Sequence, residues 1–303
     1  MTEMLASARP ERDSVARWLL TPEQVEAFDR DGYLVLKGRI EPDLLGRLQS
    51  ASERWMADPA QTEDGDWLFA NRASGRVMWR VDYIHDKGEA ASLELLGSPA
   101  ILGIAESLAG PDFVPTYESM VVKAAGDGAP VPWHQDAVHA RKHRLFNVDV
   151  YLDPSHAGAG ALHVIPGSQL SRSDACALAE THGWALPGAI EVEMEPGDVL
   201  VHDDMVVHGS PPVSGHALRR TIYLEFRAAR SILDDGPWTP EWMDARLRLL
   251  PLALAEHARH WAPDERFDWG VSPELLPVPV GDAEAELRVV HTAHTPGEWC
   301  SAG

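Results

Sequence analysis

The sequence predicts a mainly β core, an antiparallel sandwich or barrel with helices before and after it. Five short segments of strand character, separated by Gly/Pro turns and mostly without helices between them, support this prediction. The five segments are residues 147–152, 161–165, 190–194, 198–202 and 221–226. A further strand is expected over 114–123, where β-branched and aromatic residues are frequent.

Three helices are predicted before these strands. The first begins with Thr21 as N-cap and Pro22 at the first helical position, and Gly32 ends it. Residues 33–36 then form a predicted short strand. Pro42 opens a second helix, whose apolar residues recur at helical spacing: Leu44, Leu45, Leu48, Ala51 and Trp55. A third helix is predicted over about 99–108.

The 303 residues are expected to form one domain, because no linker-like change in composition divides them. Residues 1–20 are expected to be a mobile leader, 21–230 the core, and 231–303 a C-terminal extension. The extension carries five of the 11 Trp residues and a predicted helix over about 240–261. Large aromatic side chains are chiefly core material, which favours packing of the extension against the barrel over covering its mouth.

The composition excludes several classes of partner. A formal net charge of -21 without a basic cluster argues against binding of nucleic acid or of an anionic membrane surface. The N-terminus has no apolar signal region, and no run of about 18 apolar residues occurs. Cys176 and Cys300 lie far apart without a CxxC motif, so neither a disulfide framework nor a thiolate metal site is expected. A cytoplasmic location is predicted.

The motif WHQD, with a later histidine, predicts the chemistry. Residues two apart lie on the same side of a strand, so His134 and Asp136 can both reach one ion. His208, in VVHGS, is the candidate third ligand. Two imidazoles and one carboxylate without a nearby Cys form the facial set that holds non-haem Fe(II) and leaves coordination positions open. Taken alone, HxD is a weak signal among 14 His, and His208 alone fits a hydrogen-bonded core histidine equally well.

Arg219 and Ser210 strengthen this hypothesis. A guanidinium binds a carboxylate in bidentate fashion, so an Arg facing the metal suits the far end of a metal-chelating dicarboxylate co-substrate. Ser210 follows the third histidine by two residues and offers a hydroxyl donor to the same carboxylate.

With these motifs the chain resembles the phytanoyl-CoA hydroxylase family of Fe(II)/2-oxoglutarate-dependent oxygenases. The resemblance spans most of residues 20–227 and rests on several stretches in the family's order. They are LTPEQVEAFDRDGYLVLKG, VVKAAGDGAPVPWHQD, FNVDVYLDPSHAGAGALHVIPGSQ and MEPGDVLVHDDMVVHGSPPVSGHALRRTIYLEF. The resemblance implies a double-stranded β-helix, the cupin-like jelly roll, with flanking helices. It also implies an enzyme that uses Fe(II), 2-oxoglutarate and O2.

The resemblance implies roles for individual residues as well. Fe(II) is assigned to His134, Asp136 and His208. Arg219 anchors 2-oxoglutarate with help from Ser210. A further polar contact to the co-substrate is carried over to Asn147, at the start of the strand after the HxD.

The expected reaction is hydroxylation of a small natural product or secondary metabolite, with release of succinate and CO2. Relatives that halogenate replace the HxD carboxylate by a small residue, whereas Asp136 is intact. Desaturation, epoxidation, epimerisation or cyclisation with the same cofactors remain alternatives, as does a jelly-roll metalloprotein that does not use 2-oxoglutarate. The extended motif of ectoine hydroxylases is missing, and no basic cluster suits the phosphates of an acyl-CoA.

Four residues are candidate substrate contacts, each with a structural alternative: Glu118, Arg80, Tyr83 and His85. Glu118 shares one strand face with Met120 and Val122, and Lys123 lies on the other face. If the first face lines the barrel, Glu118 contacts substrate; otherwise it is a surface carboxylate. His202 is taken as a supporting residue and not as a ligand.

Overall fold

The computed structural model describes residues 17–58, 65–72, 75–124, 130–137, 142–214, 218–235, 238–278, 280 and 286–289. The predicted leader lies outside them up to residue 16, as does the end of the C-terminal extension. Within the described residues, the strands are β1 (Tyr33–Leu36), β2 (Trp67–Arg72), β3 (Gly75–Asp82), β4 (Phe113–Ala124), β5 (Val131–His134), β6 (Leu145–Tyr151), β7 (Leu162–Val164), β8 (Ile190–Val192), β9 (Val199–Asp203), β10 (His208–Ser210) and β11 (Leu218–Ala228).

The helices of the same residues flank these strands. They are α1 (Pro22–Asp31), α2 (Pro42–Ala57), α3 (Ala90–Leu96), α4 (Pro99–Ala109), α5 (Ala175–His182), α6 (Ala229–Asp235), α7 (Pro240–Leu247) and α8 (Leu249–His257). Helix α1 has the predicted N-cap, because the Thr21 hydroxyl accepts a hydrogen bond from the backbone of Gln24. Gly32 ends it with φ 78°, a left-handed conformation that favours glycine.

The strands form two antiparallel sheets. The larger has the order β1-β9-β6-β11-β4-β3-β2, and the smaller has the order β5-β10-β7-β8. Side chains alternate between the two faces of a strand, and cross-strand partners share a face. Phe146, Val148 and Val150 of β6 therefore enter the main core with helix α2, whereas Tyr151 packs against the smaller sheet. The predicted antiparallel β core with flanking helices is confirmed.

The C-terminal extension packs against the outer face of the larger sheet. Met243 and Leu247 of α7 and Ala253 of α8 belong to the main core. The predicted single helix over 240–261 is wrong, because the structure has two helices here. Pro251 explains the interruption, since it has no N–H to donate to the preceding turn but is tolerated in the first turn of a new helix.

Two further observations concern the whole chain. Among the described residues no single helix is long and apolar enough to cross a membrane. Helices α3 and α4 reach the required length and apolar character only when they are taken together, and their axes are bent by 42°. Cys176, in α5, is disulfide-bonded. The sequence predicts no disulfide framework, and for Cys176 this prediction is wrong. Cys300 lies outside the described residues.

Candidate active site

The three predicted ligand residues meet where β5 and β10 pair. His134 is the last residue of β5, and its Cα partner is His208, the first residue of β10. The two imidazole centroids are 4.2 Å apart. Asp136 follows β5 and faces both rings, so that one ligand atom from each residue lies within 4.8 Å of the others. This group can hold a metal ion.

The hydrogen bonds of the two histidines fix which nitrogen faces the site. His134 Nδ1 lies 2.7 Å from the carbonyl oxygen of Pro132, and His208 Nδ1 lies 2.9 Å from that of Val206. A carbonyl only accepts, so each Nδ1 carries the hydrogen and each Nε2 presents a lone pair.

These lone pairs face the Asp136 carboxylate. The distances are 3.2 Å from His134 Nε2 to Oδ1 and 3.8 Å from His208 Nε2 to Oδ2. Acceptors that point at one another repel, and a cation between them removes the repulsion. Two imidazole nitrogens and a carboxylate oxygen, each oriented by backbone or side-chain partners, fit Fe(II).

The protonation states agree with this arrangement. Burial lowers the pKa of His208 to about 3, and the neighbouring His134 adds to this effect. Burial alone would raise the pKa of Asp136, but His208, His134 and His202 together hold it well below its usual value. Near neutral pH His208 is therefore neutral and Asp136 is ionised, which are the forms that bind metal.

A second polar site lies next to the first, around Ser210. Lys123 of β4 and Arg219 of β11 are cross-strand partners, and each side chain is almost fully buried. Lys123 Nζ lies 2.6 Å from the Ser210 hydroxyl oxygen, and Arg219 Nη2 lies 3.0 Å from the same atom. Among the described residues, no carboxylate is within ion-pair distance of either cation. A buried guanidinium and a buried amine on one hydroxyl form a site for an anion.

The cationic side chains are otherwise held by backbone carbonyls. Arg219 Nη1 donates to Gly160 over 2.6 Å, and Lys123 Nζ donates to Pro211 over 2.7 Å. Burial, together with the charge of Arg219, lowers the pKa of Lys123 to about 6. A bound carboxylate would stabilise the charged form of this lysine.

Strand β10 connects the two sites. His208 is its first residue and Ser210 its last. A Cβ on Gly209, between them, would lie 3.0 Å from the carbonyl oxygen of Val131 and 3.1 Å from the nitrogen of Trp133. The absence of a side chain at position 209 therefore allows β10 to approach β5 closely.

Asn147 reaches the metal group from β6. Its Nδ2 lies 3.2 Å from Asp136 Oδ2 and 3.2 Å from Asp204 Oδ1. The structure thus brings Asn147 next to a ligand carboxylate, on the same side of the sheet as the anion site.

Comparison with known proteins agrees with this geometry. The profile of the phytanoyl-CoA dioxygenase (PhyH) family matches residues 28–221, about two thirds of the chain. The chain belongs to this family. The predicted resemblance is therefore confirmed, and so is the predicted class of enzyme, a dioxygenase.

Individual proteins are similar to this chain over most of its length. An ectoine dioxygenase of Nocardia farcinica is 25% identical in an alignment 244 positions long, which covers 70% of this chain and 79% of that protein. The crystal structure of AviO1 from Streptomyces viridochromogenes is 28% identical, with a TM-score of 0.59 over 77% of this chain and 100% of AviO1. EctD from S. alaskensis, solved with 2-oxoglutarate and 5-hydroxyectoine, has a TM-score of 0.60 at 22% identity, over 77% of this chain and 86% of EctD, and shows the shared fold.

Glu118 is placed away from the metal group. It lies on the face of β4 opposite to Lys123, with Met120 and Val122, and forms an ion pair with Arg246 of α7 that is buried on both sides. It is therefore neither a surface carboxylate nor part of the barrel interior. A substrate contact would require the Glu118 face of β4 to line the barrel, but this face packs against the helices.

His85 and Tyr83 lie near Glu118. His85 is almost fully buried, and burial lowers its pKa to about 4. The backbone nitrogen of Tyr83 donates to the carbonyl of Glu118, and Tyr83 has φ 54°, the only positive value among the described non-glycine residues. His85 is thereby buried beside Glu118, whereas the Tyr83 ring lies 6.1 Å from that of Tyr117, a residue of β4 on the same strand face as Lys123.

Arg80 lies on the face of the sheet that carries Lys123. Its Cα partner is Val121 of β4, its Nε lies 2.6 Å from Asp82 Oδ1, and it also hydrogen-bonds Tyr117. Strand parity therefore places Arg80 toward the barrel interior, and the ring of Tyr83 packs against the same Tyr117.

Lys123 is a residue that motif reasoning missed. Alternation along β4 separates Lys123 from Glu118 but does not say which face is inside. Its position in a strand of mostly apolar residues could have indicated its role, because a lysine is rarely buried unless its amine has a polar partner.

Proposed function

We propose that the protein is an Fe(II)- and 2-oxoglutarate-dependent oxygenase that hydroxylates a small natural product or secondary metabolite, releasing succinate and CO2. One observation supports this most directly. Within three residues, β10 carries His208 in the metal group and Ser210 in the anion site. A co-substrate that chelates metal at one end and carries a carboxylate at the other spans both sites.

His134, Asp136 and His208 bind the metal in this proposal. They approach from one side and leave the remaining coordination positions to co-substrate and oxygen. Bound Fe(II), with 2-oxoglutarate and O2, supplies the oxidising power that replaces a substrate C–H bond by C–OH. The protein holds the ligands in their metal-binding protonation states and excludes water from the barrel interior.

Arg219, Ser210 and Lys123 bind the far carboxylate of 2-oxoglutarate. Ser210 and one cation on each side hold it through charge-assisted hydrogen bonds, which are strongest away from water. Asn147, beside Asp136, is the remaining polar contact assigned to the co-substrate end that faces the metal. Arg80 is the proposed substrate contact on the same side of the sheet.

The ectoine dioxygenase named above is, by its name, an enzyme of a small metabolite, and EctD was solved with 5-hydroxyectoine, which supports a small substrate. We also propose that the chain acts as one domain, since the extension shares the main core with the β-sheet. A cytoplasmic location stays a prediction.

The test is turnover of 2-oxoglutarate. The protein, reconstituted anaerobically with Fe(II), is expected to bind 2-oxoglutarate and, after admission of O2, to form succinate. Succinate formation is then screened against a metabolite panel that includes ectoine, and products are identified by mass spectrometry. A product heavier by one oxygen, with the NMR spectrum of an alcohol and not of an epoxide, supports hydroxylation; a product lighter by two hydrogens, or an isomer, assigns another outcome. Absence of both 2-oxoglutarate binding and succinate would overturn the proposal.

A further inference from the structure

Strand pairing places His134 opposite His208 but does not place Asp136. Strand β5 pairs with β10 at these two histidines and ends there, so Asp136 lies beyond the ladder. His208 in turn follows residues 204–207, which connect β9 to β10. The position of Asp136 relative to the third ligand therefore depends on contacts between residues 135–137 and this connection.

Two such contacts flank Asp136. On its C-terminal side, the backbone N–H of Ala137 donates to the carbonyl of Asp204 over 3.1 Å. On its N-terminal side, Nε2 of Gln135 donates to the carbonyl of Met205 over 2.5 Å. Asp136 is thus held between two attachment points to the connection that leads into β10.

The amide of Gln135 also binds the chain that leads into helix α5. Its Nε2 donates to the carbonyl of Ser171 over 3.0 Å, and its Oε1 accepts from the backbone N–H of Ser173 over 3.0 Å. These partners fix the orientation of the amide, because a carbonyl only accepts and a backbone N–H only donates. Gln135 is 4% exposed, so removal of the amide would leave backbone groups unsatisfied away from water.

Gln135 acts on the metal group only through the backbone. Side chains alternate along an extended chain, so Gln135 points away from the side to which His134 and Asp136 point. Its hydrogen bonds all go to backbone groups. A change at Gln135 therefore alters where the ligands stand and not which atoms they offer.

The connection 204–207 keeps its own shape without Gln135. The backbone N–H of Met205 donates to Asp203 Oδ1 over 2.9 Å, and that of Val207 donates to the hydroxyl of Ser168 over 2.8 Å. Neither bond reaches residues 135–137. Loss of the Gln135 amide should therefore leave the connection formed but attached to the Asp136 segment at one point and not two.

We propose that Gln135 is a positioning residue that sets how His134 and Asp136 face His208, by holding the connection 204–207 against residues 135–137. The inference rests on the proposed function, because it concerns the metal group of that same site.

The test uses Co(II), whose visible absorption reports coordination number and geometry. Gln135→Met keeps the length of the side chain and removes its amide. We expect it to bind Co(II) about 10- to 100-fold more weakly, the usual cost of losing a group that orients metal ligands, and to show altered intensity of the visible bands. Gln135→Asn, whose amide is one methylene shorter, should change both in the same direction and provides the test if Gln135→Met does not fold.

Gln49→Met is the matched control. Gln49 of α2 also donates from Nε2 to a backbone carbonyl, that of Leu152, over 2.8 Å. Neither residue belongs to the metal group or to the segments that Gln135 joins. The Co(II) affinity and spectrum of this variant are expected to equal those of the unmodified protein, even if its melting temperature is lower.

Two failures are distinguishable. A folded Gln135 variant with unchanged Co(II) affinity and spectrum would overturn the positioning role, and so would a Gln49→Met variant that changes them equally. An unmodified protein that binds Co(II) with the expected dependence on Gln135, but does not bind 2-oxoglutarate, would overturn the proposed function and leave the positioning role intact.

Discussion

Lys123 and Arg219, directly opposite each other on β4 and β11, both donate to the hydroxyl oxygen of Ser210. Like charges at opposite positions of neighbouring strands destabilise a sheet. An anion bound beside Lys123 and Arg219 would therefore stabilise the pair. Co-substrate binding and protonation of Lys123 are therefore linked.

The first prediction concerns this linkage. Without an anion the pKa of Lys123 is lowered to about 6, so the amine is mostly neutral at about pH 7.5. A carboxylate raises that pKa, and 2-oxoglutarate binding should take up a proton. Its affinity should fall as pH rises above about 6. Calorimetry of the Co(II)-loaded protein in two buffers with different ionisation enthalpies measures the uptake. Lys123→Met should abolish it, and equal heats in both buffers for the unmodified protein would contradict the linkage.

The second prediction separates Arg219 from its neighbour. Arg219→Met should weaken 2-oxoglutarate binding by about 30-fold or more, since truncating one partner of a buried charge contact costs about 2 kcal/mol or more. Arg220 faces the other side, where its Nη2 lies 2.7 Å from Asp153 and its Nη1 donates to Ser52. Arg220→Met should lower the melting temperature and leave the affinity nearly unchanged. The reverse pattern would move the anchor to Arg220.

The third prediction concerns metal and stability. A ligand that binds only the folded state adds about 2.7 kcal/mol at 100 times its dissociation constant, so Co(II) should raise the melting temperature. His208→Ala and Asp136→Ala should abolish that increase. His257→Ala, which removes a buried histidine of α8, should retain it even if the starting melting temperature is lower. A metal-induced shift that survives in His208→Ala would exclude this residue as a ligand.

The fourth prediction concerns the C-terminal extension. Arg246 of α7 and Glu118 of β4 are 0% and 1% exposed and form an ion pair. Arg246→Met should lower the free energy of unfolding by about 3–5 kcal/mol, because it leaves a buried charge without its partner. Replacing both residues with leucine should recover much of the loss. Urea denaturation measures both, and a single variant as stable as the unmodified protein would show that the pair does not tie the extension to the sheet.

The local motif predicted that His134 and Asp136 lie together, and they do, although β5 ends at His134 and Asp136 lies just beyond the strand. The orientation of the sheet was not predictable in this way. Alternation along β4 assigned Glu118 and Lys123 to opposite faces of the strand. Which of the two faces lies inside is set by the pairing of β4 with β11 and by packing against the smaller sheet. Helix α5 was missed because its sequence, ACALAETH, has little amphipathic pattern. Arg246 was missed because its partner lies on a distant strand.

Strand β10 sets a length. From its first to its last residue a strand advances about 6.6 Å, and this distance separates the backbone of the third histidine from that of the serine at the anion site. Gly209, between these two residues, lets β10 lie close to the backbone of β5. We expect this spacing to select the length of the co-substrate. A five-carbon 2-oxo diacid should reach both the metal group and the anion site, whereas oxaloacetate, one carbon shorter, and 2-oxoadipate, one carbon longer, should each fit only one of the two.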